Sequence, residues 1–295
     1  MTASDASPSG ASPGPCPADA WFECRCGQRH WGKLGGAGLM MTSDDQVLLQ
    51  LRSSQSHHPL TWGLPGGARQ AGETPLAAAL REGREETGLD PDRLTPDWWV
   101  IADHGGWTYT TVGASAEADP LDGDANWETE RLEWVPLAQV AGYDLHPGLR
   151  AAWTSLELLV GKRATLIVDA ANVVGATPNG WWRDRAAAAA GLLADLEPLA
   201  ARGMANLASP QPAGWFPQVV MVVEGQARGI GPGQRVRVVE ALASGDDQIV
   251  AEARRATAAG LGPVEVVTAD KALIARLGAV GAGAMSPRGL LRLIR

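Results

Sequence analysis

The sequence predicts a two-domain α/β chain, and three observations carry that expectation. Its 295 residues are about twice the roughly 150 of an average domain. Residues 21–160 mix short apolar runs with Gly and Pro punctuation around a single good helical segment, which is the pattern of a mixed α and β unit. Residues 164–295 alternate continuous apolar strands with Ala-rich helices, the pattern of a parallel sheet covered on both faces. Charge divides at the same place, with 12 basic against 22 acidic residues before Ala164 and 13 against 11 from there on, within a net charge of −8. A composition 45% hydrophobic and 20% charged excludes a wholly disordered chain. No apolar run approaches the roughly 20 residues of a membrane span.

Taken in order, residues 1–20 open MTASDASPSGASPGPCP, without the basic start or apolar stretch of a signal peptide. They predict a disordered tail and a cytoplasmic location, and three cysteines are too few for a disulfide framework. LGGAGLMM, VLLQL, WWVIA, YTTVGA and LEWVPL read as strands. Thr74 to Thr87 reads as a helix stopped by Gly88, which suits the left-handed position past a helix end. Leu149 to Val160 reads as a closing helix, and Gly161 to Arg163 as the linker. After it come the strand TLIVDA, a helix from Arg183 to Ala201, the strands VVMVVEG and RVRVVEA, a helix from Asp247 to Ala259, the strand VEVVTAD and a terminal helical SPRGLLRLI. GMANLASPQPAGWFP reads as a long surface loop.

The most specific text is GGARQAGETPLAAALREGREETGL. On a helix, Glu82, Glu85 and Glu86 stand at i, i+3 and i+4, so three carboxylates share one face. Like charges this close repel unless a cation sits among them, and hard Mg²⁺ or Mn²⁺ is what carboxylates and substrate phosphates share. Leu76, Ala79 and Leu80 lie on the other side, free to pack. The spacing from Gly67 through Glu73, Arg81-Glu82 and Glu85-Glu86 to Gly88-Leu89 resembles the Nudix box, and the preceding WGLPGG resembles the same family. The resemblance implies a Nudix-type α/β/α sandwich with a mixed sheet and Mg²⁺- or Mn²⁺-dependent pyrophosphohydrolysis of a nucleoside diphosphate-linked substrate. It implies that Glu82, Glu85 and Glu86 bind metal, one of them also orienting or deprotonating water, while Arg81 pairs with Glu73 or Glu85. Gly83 departs from the aliphatic residue the family prefers, at a helix cost of about 1 kcal/mol relative to alanine, and predicts looser packing there. The family often recruits a further glutamate from a later loop; of Glu128, Glu130 and Glu133, Glu128 is the choice because it precedes the strand. Trp98, Trp99 and Trp107 are candidates to stack on a base, with burial in the core the better expectation.

Cys24, Cys26 and His30, with Cys16 upstream, form a C-x-C-G-x-x-H cluster of the ligand types that hold Zn²⁺, although its first spacing is one residue shorter than a usual knuckle. In the second half, Asp169, Glu224 and Asp270 end three strands, and Asp246 and Asp247 open a helix. Acids at the carboxyl ends of parallel strands converge on the crevice where such sheets bind ligands, and convergent acids again imply metal. D-A-A-N, S-G-D-D-x-I and V-T-A-D-K resemble the NYN and PIN-like nucleases. That resemblance implies that Asp169, Asp247 and Asp270 ligate Mg²⁺ or Mn²⁺ for RNA cleavage, with Asp246 or Glu224 assisting and Asn172 supporting. Arg228, Arg235, Arg237, Arg254 and Arg255 are candidate phosphate contacts. Expected partners are thus a nucleotide substrate and RNA, with no membrane. The alternative is a regulatory protein that senses a nucleotide and holds RNA without cutting it.

Overall fold

A computed structural model describes residues 20–116, 121, 125–177, 181–205 and 212–294. The expected tail up to residue 19, with Cys16, lies outside them.

The first half opens with a hairpin of β1 (Trp21–Glu23) and β2 (Arg29–Trp31). There follow β3 (Gly36–Ser43), β4 (Gln46–Arg52), β5 (Trp62–Gly63), β6 (Gly66–Ala68), helix α1 (Pro75–Thr87), β7 (Leu94–Asp103), β8 (Thr108–Ala116), β9 (Thr129–Pro136), and helices α2 (Leu137–Val140) and α3 (Pro147–Glu157). The sheet runs β7-β8-β3-β4-β5, with β6 also on β3 and β9 also on β4. It is mixed because β3 and β8 are parallel while the other pairs are antiparallel. Alternation along the strands builds a core on each face. Leu39 and Met41 of β3 join Leu48, Val112, Ala78 and Ala79 under α1, whereas Met40 joins Val47, Leu49 and Val135 beneath Leu149, Trp153 and Leu156 of α3. Each fully buried Leu or Met is worth about 1.5–3 kcal/mol over exposure.

The second half comprises β10 (Thr165–Asp169), α4 (Ala170–Gly175), α5 (Arg185–Arg202), β11 (Met204–Ala205), β12 (Gly214–Trp215), β13 (Gln218–Val223), β14 (Val236–Glu240), α6 (Gly245–Ala259), β15 (Val264–Val267), α7 (Lys271–Gly278), β16 (Gly283–Met285) and α8 (Pro287–Ile294). Five of these strands form an all-parallel sheet in the order β14-β13-β10-β15-β16. Side chains of α4, α5 and α8 cover one face and those of α6 and α7 the other. The chain winds outward from β10 in both directions, so the strand order reverses there and opens a crevice at the carboxyl ends.

The stretch expected to be a surface loop is built otherwise. β11 and β12 add to the first half's sheet, with Gly214 opposite Trp99 and Trp215 opposite Trp98 on β7. Trp215 and Phe216 are buried in the first half's two cores. Gly203 and Gly214 leave the space that the Trp99 ring fills, and a Cβ on Gly203 would come within 2.6 Å of that ring. Polar and Pro-rich composition hid this, because the pairing depends on two glycines far from Trp99 in sequence; residues 206–211 of the stretch lie outside the described residues. Arg163, at the expected linker, donates to Asp97 Oδ1 (2.6 Å) and Ser115 Oγ (2.6 Å) of the first half.

Candidate active site

The Thr74 hydroxyl caps α1 by accepting from the Ala77 N–H, and Gly88, at φ 69°, closes it in the left-handed conformation. Alanines 78 and 79 let the helix lie close to β3, which presents its carboxylate face to the glycine-rich turn of β6. Arg81 fastens the two together. Its Nε and one terminal nitrogen donate to both oxygens of Glu73 (2.9 and 3.1 Å), and that second nitrogen also reaches the Ala68 carbonyl (3.0 Å). Its other terminal nitrogen donates to Glu82 (2.8 Å) and Glu85 (3.2 Å). The alternatives for Arg81 are therefore both realised, and Glu73 is held below its usual carboxylate range chiefly by its hydrogen bond to Arg81.

Glu86 is 1% exposed. Its Oε2 accepts the Gly66 N–H at 2.6 Å, while its Oε1 is buried without a partner. A buried carboxylate oxygen left unpaired costs about 1–3 kcal/mol or more, so it is a ready ligand for a cation. Burial is the largest cause raising the Glu82 carboxyl to about 7, against the pull of Arg81, and burial likewise pushes Glu86 up. Glu128, in the turn before β9, lies near enough to repel both of these carboxylates. The Ser53 N–H donates to the Glu128 carbonyl (2.8 Å) and Thr129 Oγ1 donates to the Glu86 carbonyl (2.8 Å), fixing that turn over the end of α1. Glu130 instead accepts from the Ser54 N–H (3.3 Å), and Glu133 accepts from Tyr143 (2.6 Å). Glu85 is the most open of the helix carboxylates, its side chain 53% exposed.

Gly83 does not loosen the packing as expected. A Cβ there would fall 2.7 Å from a Leu89 methyl and 2.9 Å from a Leu39 methyl, so the missing side chain admits those two. Two further residues, Tyr109 and Arg52, which sequence reading missed, lie at the site. The Tyr109 ring and hydroxyl pack against Gly36, Gly38 and Gly66, and Glu86 and Glu82 add to the burial that raises its hydroxyl pKa. Arg52 is a cation near Glu86. Trp127, beside Glu128, is 69% exposed. No motif spacing reaches these positions; only exposure of a large aromatic next to a loop glutamate could have flagged Trp127. Trp98 and Trp107 are buried core residues, and Trp99 lies against Phe216.

In the second half, Asp169 is 8% exposed. Its Oδ1 accepts the Asn172 N–H (3.0 Å) and its Oδ2 accepts from Thr268 Oγ1 (3.0 Å). Asn172 in turn accepts the Ala269 N–H (3.0 Å), tying the ends of β10 and β15 together. Glu224 accepts the first N–H of α6, from Gly245 (2.9 Å), and Asp270 caps α7 through the Leu273 N–H (2.8 Å). Burial raises Asp169 and Asp246, and repulsion from Glu224 raises both further, with Asp270 acting on Asp246. Thus Asp169, Glu224, Asp246 and Asp270 share the crevice. Asp247 is turned away, its side chain 71% exposed and paired with Arg276 at 2.5 Å. Of the candidate phosphate contacts, Arg237 and Arg255 are both committed to Glu252. Cys24, Cys26 and His30 do come together, their ligand atoms all within 4.8 Å of one another. Among the described residues no helix is long and apolar enough to cross a membrane.

A glycine-rich turn facing a helix of carboxylates, on a mixed sheet between two helices, defines a class, and comparison with known proteins agrees. The NUDIX domain profile matches residues 33–158. A Mycobacterium tuberculosis (strain H37Rv) protein described provisionally as 8-oxo-dGTP diphosphatase 3 is 42% identical over 149 residues, covering 47% of this chain and 68% of that protein. A nucleoside triphosphate pyrophosphatase/Nudix hydrolase fusion protein from Bifidobacterium longum is 34% identical over 159 residues, 50% of this chain and 33% of that one. The crystal structure of a Nudix hydrolase from M. smegmatis, RenU, is 41% identical and covers 48% of this chain and 94% of that one, with a TM-score of 0.46. The chain belongs to the Nudix family. It is a hydrolase acting on phosphoanhydrides, with a second, parallel-sheet unit following the Nudix domain.

Proposed function

We propose that the first half cleaves a nucleoside triphosphate to the monophosphate and pyrophosphate, using Mg²⁺ or Mn²⁺ held by Glu82, Glu85, Glu86 and Glu128. The observation that carries this reading is Glu86 Oε1, buried and unpaired in a pocket of carboxylates. The names of the relatives, a provisional 8-oxo-dGTP diphosphatase and an 8-oxo-dGTP diphosphatase of Proteus vulgaris, favour an oxidised purine triphosphate as substrate. When bound, the divalent ion would neutralise the phosphates and lower the pKa of water. The chain's own part is positional. Arg81 holds Glu82 and Glu85 in place, the Gly66 N–H orients Glu86, and Glu85, open to solvent, takes the proton of the attacking water. Trp127 offers an exposed face on which a purine stacks. Glu85→Gln should lower kcat by at least about 100-fold, the usual minimum for loss of a general base, with the melting temperature preserved, and Glu86→Gln should lower kcat by removing a metal ligand. Full turnover by the double variant removes the assignment.

For the second half we propose a metal-dependent ribonuclease of NYN/PIN-like type, with residues 21–160 and 164–295 as the two domains in the cytoplasm. What supports this is the gathering of acids at the carboxyl ends of β10, β13 and β15. Asp169 and Asp270 keep the metal-binding roles expected of them, and Asp246 with Glu224 takes the place of Asp247. Asp169→Asn and Asp270→Asn should abolish Mg²⁺- or Mn²⁺-dependent cleavage of single-stranded RNA while leaving pyrophosphohydrolysis intact. If the unaltered protein cuts no RNA but retains it on a filter, the regulatory, RNA-holding reading replaces the nuclease.

A further inference from the structure

The geometry points to a zinc site on the β1–β2 hairpin, held by Cys24, Cys26 and His30, that fixes the aromatic stack leading to the carboxylate pocket. The hairpin turn is made for converging ligands. The Cys24 N–H donates to the Gln28 carbonyl and the Gly27 N–H to the Cys24 carbonyl, both at 3.0 Å. Gly27, at φ 82°, turns the chain directly after Cys26, which offsets the one-residue spacing between the thiols. The antiparallel register sets His30 opposite Phe22, returning it toward the thiols. Cys26 Sγ lies 3.2 Å from His30 Nε2.

The β7–β8 turn lies beside the cluster. Cys24 Sγ donates to the backbone carbonyl of His104 at 3.1 Å, and the His104 and His30 ring centroids are 4.6 Å apart. Two thiols and an imidazole suit borderline-soft Zn²⁺, with water as the fourth ligand, and not the hard ions of the Glu86 pocket. Binding would release two thiol protons, leaving thiolates that balance the ion's charge.

From this cluster a stack of rings runs inward. His30 lies on Trp107 with centroids 4.3 Å apart and planes 9° apart, and Trp107 stacks on Tyr109 at 6.1 Å. Trp107 Nε1 donates to the Gly32 carbonyl (2.7 Å), where the chain leaves the hairpin. Tyr109 packs against Gly38 and Gly66, whose N–H orients Glu86. The metal therefore pins the β7–β8 turn to the hairpin and sets the stack on which the Gly66 turn rests. Metal content and affinity test the site itself, whether or not the proposed hydrolysis holds.

Full-length protein purified without chelator should carry about one zinc per chain by plasma mass spectrometry. Replacement with Co²⁺ should give thiolate-to-metal charge-transfer absorption. Cys26 is exposed, so Cys26→Ser keeps the fold, and it should lose both signals. His30→Ala should bind zinc at least tenfold more weakly, and Cys16→Ser should bind as the parent does. Amide exchange at residues 104–110 should quicken in Cys26→Ser. No zinc and no Co²⁺ absorption in reduced parent protein, or stoichiometric zinc in Cys26→Ser, overturns the site. Loss of metal in Cys16→Ser, or parent-like affinity in His30→Ala, overturns the three-ligand set, and unchanged exchange at 104–110 overturns the link to the stack.

Discussion

At Gly67 a single missing carbon decides where a carboxylate sits. A Cβ there would stand 2.7–2.8 Å from the carboxyl carbon and both oxygens of Glu82, closer than real contacts allow. Gly67→Ala should therefore displace Glu82 and lower kcat/KM at least tenfold. Stability should change by no more than about 1 kcal/mol, because the intruder meets the end of a flexible side chain; steady-state kinetics and thermal melts check both. Glu82, Glu85 and Glu86 were legible because helical spacing alone puts them on one face. Tyr109 and Arg52 were not, since they reach the site from strands whose pairing no local pattern announces. Asp246 and Asp247 show the same limit: adjacent helix residues point about 100° apart, and only the approach of Arg276 shows which one is drawn out of the crevice.

At the scale of the element, α1 was readable to within a residue because its ends carry their own chemistry, Thr74 accepting an N–H and Gly88 turning left-handed. Its interior was misread at Gly83. Helix propensity says that alanine would gain about 1 kcal/mol, but the Leu39 and Leu89 methyls already fill that space, and overpacking a core costs about 1–3 kcal/mol. Gly83→Ala should lower unfolding free energy by about 1 kcal/mol in urea titration; a more stable variant would show that the leucines yield freely. Helix α6 closes as expected at Gly260, but it opens two residues before the expected Asp247, at Gly245 behind the Ser244 cap.

Across the whole molecule, four buried acids pull the pH dependence of stability one way, and the half-buried His146, lowered by burial to about 4, opposes them as pH falls through its range. Burial, the largest cause in each case, raises Glu82 from 4.5 to about 7 and also raises Glu86, Asp97 and Asp169. These groups hold protons more tightly folded than unfolded, so their contribution is full below the unfolded values and is lost as pH rises through the folded ones. Chelator-treated protein should melt at a lower temperature at pH 8 than at pH 5. Mg²⁺ should raise the melting temperature more at pH 8 than at pH 5, and Glu82→Gln should flatten the slope. Two α/β units were visible in the sequence from periodicity and charge, but how they join was not. The join is made by paired glycines against Trp99 and by Arg163 held between Asp97 and Ser115, which are long-range fits without a local signature.

β12 forms backbone hydrogen bonds along the margin of β7. A chain cut after α3 would expose that margin as bare amides and carbonyls, together with the Trp98 and Trp99 surfaces that Trp215 and Phe216 now cover. Such a ribbon invites pairing with its own copies. Solubility of the catalytic half is thereby made a property of the uncut polypeptide.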